Sequence, residues 1–292
     1  MLEVIEETLI DSIKILPFLF ITYLIMEYIE HKMGEKSKKA IKKSGKWGPI
    51  AGSILGAFPQ CGFSVSATNL YAGRVITLGT LIAVYLSTSD EMLPIFISES
   101  VAPVVILKIL AIKVVIGMIA GSLIDIALVL LKRNNKKYLN QAEHDNEIEH
   151  ICEEEHCHCD KAGILKSSLK HTLNIFVFIV LVTFLINVIV YFVGEETISG
   201  WILNKPVIGP MIASLIGLIP NCAASVIITN MYLGNVISIG SMFSGLLTGA
   251  GVGLAVLFKT NDKIKENINV IVLLYIIGVI SGILIDLIGI TL

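Results

Sequence analysis

Residues 87–94 read Ser-Thr-Ser-Asp-Glu-Met-Leu-Pro inside an otherwise apolar run from Val75 to Ile97. Ionisable groups at depth in an apolar span are expensive, and a carboxylate kept there serves as a cation ligand or a proton carrier unless it lies at an interface. Asp90 and Glu91 are therefore the first candidates for chemistry, with Ser87 and Ser89 as neutral oxygen donors beside them. Two further strings supply softer ligands. Pro59-Gln60-Cys61 and Pro220-Asn221-Cys222 each set an amide and a thiol next to a proline, and Ser64 and Ser225 follow one turn on. Thiols suit soft metals, whereas amide and hydroxyl oxygens suit harder ones. The competing reading is that Cys61 and Cys222 are small thiols that pack where helices approach.

A separate cluster occupies residues 132–161, where His144, His150, Cys152, His156, Cys157, His158 and Cys159 stand among glutamates. Imidazole and thiolate at this density fit zinc or another borderline cation, and the cysteines argue against calcium or magnesium. The spacing follows no regular zinc fold, so a zinc-like ion is an optional guest of this segment and no cofactor is required. The segment is too polar to form a core and reads as a tether.

The elements that must position these residues follow from composition. Of 292 residues, 54% are hydrophobic and 16% charged, a balance that a soluble surface does not tolerate. Apolar runs at 10–29, 104–131, 171–193 and 270–292 are long enough to cross a bilayer, and the charge-dense stretches 32–46 and 132–161 are its aqueous loops. The acidic start MLEVIEETLIDS lacks the basic region of a signal peptide, so the first apolar run is expected to stay as a helix. A net charge of −2 makes no case for nucleic acid, and the five cysteines form no disulfide framework.

The chain is one unit written twice. Sliding it by 161 residues sets Pro59-Gln60-Cys61 on Pro220-Asn221-Cys222, and 13 of the 27 positions from Ser53 to Gly79 match their partners. Gly48-Pro49 falls on Gly209-Pro210, and Gly117, Gly121 and Asp125 fall on Gly278, Gly282 and Asp286. Residues 1–131 thus form a first membrane repeat, 132–161 a cytoplasmic linker and 162–292 a second repeat. Basic residues stay on the cytoplasmic side. The lysine-rich loop 32–46 corresponds to the acidic Glu195-Glu196 region, Arg74 corresponds to Asn235, and the Ser98-Glu99-Ser100 region corresponds to Lys259, Lys263 and Lys265. All three loop pairs change sign, which predicts repeats of opposite orientation, with both termini outside and the site near the midplane between them.

Within each repeat a proline divides a short apolar stretch. Residues 48–58 and 61–72 are each about half the length needed to span. They predict a helical hairpin turning at Pro59-Gln60-Cys61, with its counterpart turning at Pro220-Asn221-Cys222. Re-entry gives six full crossings, and two short crossings in its place give ten. The backbone exposed at such tips is tolerated only inside protein or beside a polar cavity. The counterpart of the acidic stretch is Thr248-Gly249-Ala250-Gly251, where the acids are replaced by glycines that let the chain bend. Thr68, Thr229, Asn69 and Asn230 read as interhelical hydrogen-bond glue. Asp125 and Asp286 sit near the ends of their spans, where interfacial solvation accounts for them about as well as a functional role does.

The strings GAFPQCGFSVSATNLYAGRVITLGTL, YLSTSDEMLPI and IGLIPNCAASVIITNMYLGNVISIGSMFSGLLTGAGVGLAVLF resemble the ten-helix heavy-metal exporters. That family is related by name to the arsenic permeases, and some members are labelled manganese transporters. The resemblance covers nearly the whole chain and maps onto Pro59, Gln60, Cys61, Ser89, Asp90, Glu91, Pro220, Asn221 and Cys222. The expectation is an all-α polytopic protein of the inner membrane with no enzymatic activity. It exports a metal or metalloid by alternating access coupled to protons, and no nucleotide-binding motif is present to power it. Substrate ligands are expected at Gln60, Cys61, Ser64, Ser87, Ser89, Asp90, Glu91, Asn221, Cys222, Ser225 and Thr248, and breaks at Pro59, Pro220, Gly249 and Gly251. The alternatives are a carrier for a small organic or oxyanion solute and a metal-responsive channel.

Overall fold

A computed structural model describes residues 47–58, 61–89, 92–134, 164–193 and 207–289, with Ile13, Leu16, Pro17, Phe20, Ile21, Tyr23 and Leu24. In chain order its helices are α1 (Gly48–Gly56), α2 (Cys61–Ala72), α3 (Leu78–Ser87), α4 (Met92–Ser98) and α5 (Pro103–Asn134), then α6 (Ile164–Val193), α7 (Ile208–Gly217), α8 (Cys222–Leu233), α9 (Ile239–Thr248), α10 (Gly253–Thr260) and α11 (Ile264–Ile288). No strand occurs among the described residues. The expected all-α polytopic architecture is what the chain forms.

The offset of 161 residues is carried into three dimensions. Helices α2, α3, α4 and α5 begin 161 residues before α8, α9, α10 and α11. The local chemistry repeats too. Thr77 caps α3 by accepting from Thr80 N at 3.1 Å, and Ser238 caps α9 by accepting from Ser241 N at 3.1 Å. Arg74 and Asn235 both take φ 55° in the turn that follows their helix. That left-handed conformation is unusual outside glycine, so its recurrence marks a turn fixed by geometry.

Asp125 and Asp286 are structural clasps. Asp125 accepts from Thr77 Oγ1 at 2.6 Å and Gly79 N at 2.9 Å, and Asp286 accepts from Ser238 Oγ at 2.7 Å and Gly240 N at 2.8 Å. Each carboxylate thus satisfies an orphan N–H in the first turn of a neighbouring helix and sits at its positive end. Glycines permit the approach: a methyl on Gly79 would meet the Gly121 carbonyl, and one on Gly240 the Gly282 carbonyl. Solvation at an interface, expected from sequence, is replaced here by a specific bond set.

Helices α5 and α11 are continuous, apolar and largely exposed on their outer faces. Ile268, Val272, Ile276, Ile280 and Leu284 form an exposed stripe at intervals of four along α11, and Val115, Ile119 and Leu123 do so on α5. Such stripes are stable where lipid is the solvent. The broken spans lie inside: 89% of the most apolar stretch of α9–α10 is buried, against 28% for α11. The chain therefore spends its continuous helices on lipid and its interrupted ones on the centre.

The hairpin α1–α2 enters and returns on one face. Gly48 at the start of α1 packs on Thr80 near the start of α3, while Gly56 at its end packs on Ser87 and Val84 at the end of α3. Helix α1 therefore reaches only as deep as the α3 break. Helix α2 then ends at Ala72, with five residues between it and Leu78 where α3 begins. Helices α1 and α2 thus pack as a hairpin beside α3 that turns at the depth of its break.

Candidate functional site

Both interrupted spans break at the same depth in their repeat. Helix α3 stops at Ser87, Thr88 is its extended C-cap, and α4 starts at Met92; α9 stops at Thr248, and α10 starts at Gly253. The second break is made by glycine, with Gly251 at φ 54°, a conformation costly for any other side chain except asparagine or aspartate.

The hairpin tips converge on the second break. Ser225 Oγ lies 3.1 Å from the position of a methyl on Gly249, and Ser64 Cβ lies 3.1 Å from that of a methyl on Gly253. Ser64 and Ser225 are equivalent residues of the two repeats, so one serine from each half flanks the same five-residue turn. Gly217, just ahead of the second tip, abuts Thr248 and the Gly245 carbonyl. Ser64 is fully buried, Asn221 is 3% exposed and Cys222 is 7% exposed.

Hydroxyls at the breaks donate back to nearby main-chain carbonyls. Ser87 Oγ donates to Ala83 O at 2.8 Å, Thr88 Oγ1 to Val84 O at 2.8 Å and Ser89 Oγ to Ser87 O at 3.0 Å. Thr248 Oγ1 donates to Ser214 O at 2.9 Å, within a polar seam where Ser214 Oγ and Ser244 Oγ are 2.6 Å apart. A hydroxyl that donates its proton to a carbonyl keeps oxygen lone pairs to offer a cation. Asn221 Oδ1 accepts from Cys222 N at 2.7 Å at the start of α8, so this N–H of the tip is already occupied.

Two buried residues at the centre were missed by sequence reasoning. Lys113, in the middle of α5, is fully buried, and its Nζ donates to Thr88 O and, at 3.0 Å, to Leu246 O. Tyr85 is also fully buried; its hydroxyl is 2.5 Å from Thr68 Oγ1 and donates to Gly253 O at 3.1 Å. Their equivalents are Leu274 and Leu246. Both polar residues therefore occur in the first half alone, as do the two acids, and both reach into the second half. The available signal was a lysine eleven residues into α5, within an apolar run and set against leucine at the matching position.

Pro59, Gln60, Asp90 and Glu91 lie outside the described residues, as do His144, His150, Cys152, His156, Cys157, His158 and Cys159. Cys61 is placed as the first residue of α2. Among the described residues no group of three or more His, Cys, Asp or Glu side chains is arranged to hold a metal ion. Asp90 and Glu91 fall between Ser89 and Met92, in the chain that joins the two halves of the broken span.

Interrupted helices packed at the centre of an apolar bundle, with lipid-facing helices around them, define a multi-pass membrane protein. Residues 1–186 match a family model described as "Putative, 10TM heavy-metal exporter", and the chain belongs to that family. No curated protein and no solved structure matches the chain. Membership in the family brings metal transport across a membrane with it.

Proposed function

We propose that this protein exports a metal or metalloid across the cytoplasmic membrane by alternating access, exchanging protons for cargo at Asp90 and Glu91. The observation that carries the reading is the convergence of Ser64 and Ser225, from equivalent hairpins, on the Gly249–Gly253 break. Cargo ligands supplied by both halves at one depth are what a midplane site between two repeats requires. The oxygen-rich Ser87-Thr88-Ser89 stretch leads directly into the two acids. An oxyanion would need free N–H groups at the tips, and the Asn221 cap already takes one of them.

Opposite orientation of the repeats is part of the proposal. Its support is the contact of Arg74, in the turn between α2 and α3, with Glu266 at 2.9 Å and Asn261 at 3.3 Å, beside the turn between α10 and α11. Within one repeat these two turns lie at opposite ends of the broken span. Their meeting across repeats fits two units that run antiparallel. The same arrangement gathers Arg74, Lys259, Lys263 and Lys265 on the face where α1 begins beside Thr80, and by the positive-inside rule such a basic face is cytoplasmic.

In this mechanism deprotonated Asp90 and Glu91 bind cargo from the cytoplasmic side, one repeat rocks against the other, and protons from the far side displace the cargo. The Arg74 and Glu266 pair closes the cytoplasmic side in one state and must part in the other. The linker cysteines and histidines act as a collecting segment outside the pathway. Purified protein in liposomes, assayed for metal flux under an imposed pH gradient, tests the proposal. Flux driven by the gradient is the expected outcome, and flux of an organic solute or oxyanion without metal would replace it.

A further inference from the structure

Each helix break orphans a main-chain carbonyl. Thr88 is the C-cap of α3, so its carbonyl lies beyond the helical ladder. In the other half Ala250 N turns to Thr248 O at 2.9 Å, and the Leu246 carbonyl is left without the amide four residues on. Both carbonyls are buried, and both stand at the negative end of a helix dipole. Two helix C-termini, one from each repeat, therefore face a common point inside the membrane. In transporters built of broken helices this is the chemistry that coordinates a monovalent coupling cation.

The Lys113 ammonium occupies that point, donating to Thr88 O and Leu246 O together. It arrives from α5, a continuous helix held to α3 by the Asp125 clasp, and so it is delivered by the scaffold and not by either break. The equivalent place in α11 holds the buried Leu274, so the ammonium is a feature of the first repeat alone.

We infer that Lys113 is a tethered cation: its ammonium fills a monovalent-cation site formed by the two breaks, in place of a free ion, and joins the two repeats through their orphaned carbonyls. The site takes a small primary ammonium or a similar cation with donors or charge for two carbonyl oxygens. Transport then needs no dissolved sodium or potassium at this position. Removing the side chain opens the site to an ion from solution. The inference concerns the same breaks as the proposed transport site, but it holds whatever the cargo is.

The test is thermal unfolding of purified full-length Lys113→Ala, titrated with methylammonium chloride and, in parallel, with tetramethylammonium chloride, which has no N–H to donate. Because a ligand bound only by the folded state raises stability by mass action, the unfolding midpoint of Lys113→Ala should rise with methylammonium and not with tetramethylammonium. The unsubstituted protein and Lys113→Leu, which fill the space, should respond to neither. Equal responses in all three proteins, or none in Lys113→Ala, would overturn the inference. Should Lys113→Ala fail to fold under every condition, Lys113→Arg and Lys113→Met decide: a folded arginine variant with an unstable methionine variant supports the tethered charge, and a methionine variant as stable as the parent refutes it. Metal flux is not used in any of these readings, so they stand or fall apart from the cargo assignment.

Discussion

Arg74 Nη1 donates to Glu266 Oε2 at 2.9 Å across the boundary between the two repeats. The pair is not isolated. Arg74 Nη2 donates to Asn261 Oδ1, Asn261 Nδ2 donates to Asn267 Oδ1 at 2.6 Å, and the guanidinium lies over the Tyr71 ring. The equivalents of Arg74, Asn261, Glu266 and Asn267 are Asn235, Ser100, Val105 and Ile106, so this ion pair is not repeated at the matching positions of the other half.

Arg74→Ala and Glu266→Ala should cost little stability, about 1 kcal/mol or less each, because both side chains are partly exposed and screened. Transport should fall much more than stability. The exchanged pair Arg74→Glu with Glu266→Arg should recover part of it, as expected when one pair couples both sites. Bridging Arg74→Cys and Glu266→Cys with a thiol-specific bifunctional crosslinker that a reductant releases should arrest transport reversibly. Normal flux in the crosslinked double cysteine would remove the latch from the mechanism.

Asp125→Ala and Asp286→Ala should each cost about 1–3 kcal/mol, since each leaves a first-turn amide and a hydroxyl without their acceptor. The two costs should agree within the error of the measurement, because the clasps have the same partners at nearly the same distances. Transport per folded molecule should be retained in both. A selective loss of transport at Asp125 with unchanged melting would show that the carboxylate does more than hold α3.

Sidedness is checked by accessibility labelling of single cysteines at residues 40 and 196 in a background lacking the native cysteines. Residue 40 should react from the cytoplasm and residue 196 from outside. Reaction of both from one face would end the antiparallel account.

Deleting residues 141–160 should lower zinc binding and leave residual transport, because a polar tether outside the membrane cannot gate a path through it. Calorimetric titration of zinc into the full chain and into the deletion measures the first expectation, and liposome flux the second. Equal zinc binding by both proteins would take the metal role from His144, His150, Cys152, His156, Cys157, His158 and Cys159.

Much of the fold was legible because its determinants are local or periodic. A repeat at a fixed offset, proline between short apolar stretches and glycine opposite the acids placed α1 to α4 and their partners before any contact was known. The hairpin sense was not legible, since it rests on Gly48 and Gly56 meeting opposite ends of α3, which is a long-range relation. Thr68 was read as interhelical glue and does join α2 to Tyr85 and Gly253. Thr229 instead donates to Ser225 O in its own helix. Lys113 escaped notice because a lysine in an apolar run reads as one that reaches for an interface. Only the packing of α5 against both breaks shows that its ammonium is held at the centre.

The measurement that bears most directly on the central claim is metal flux into liposomes by the double variant Asp90→Asn with Glu91→Gln, compared with the parent under the same pH gradient. Both substitutions keep size and hydrogen bonding and remove charge, so the account predicts a folded, inserted protein whose proton-driven flux is lost. In the parallel pair, Cys61→Ser and Cys222→Ser should weaken flux of soft metals more than of hard ones if the thiols ligate cargo. Undiminished metal flux in the double carboxylate variant would contradict the account and place the coupling site elsewhere.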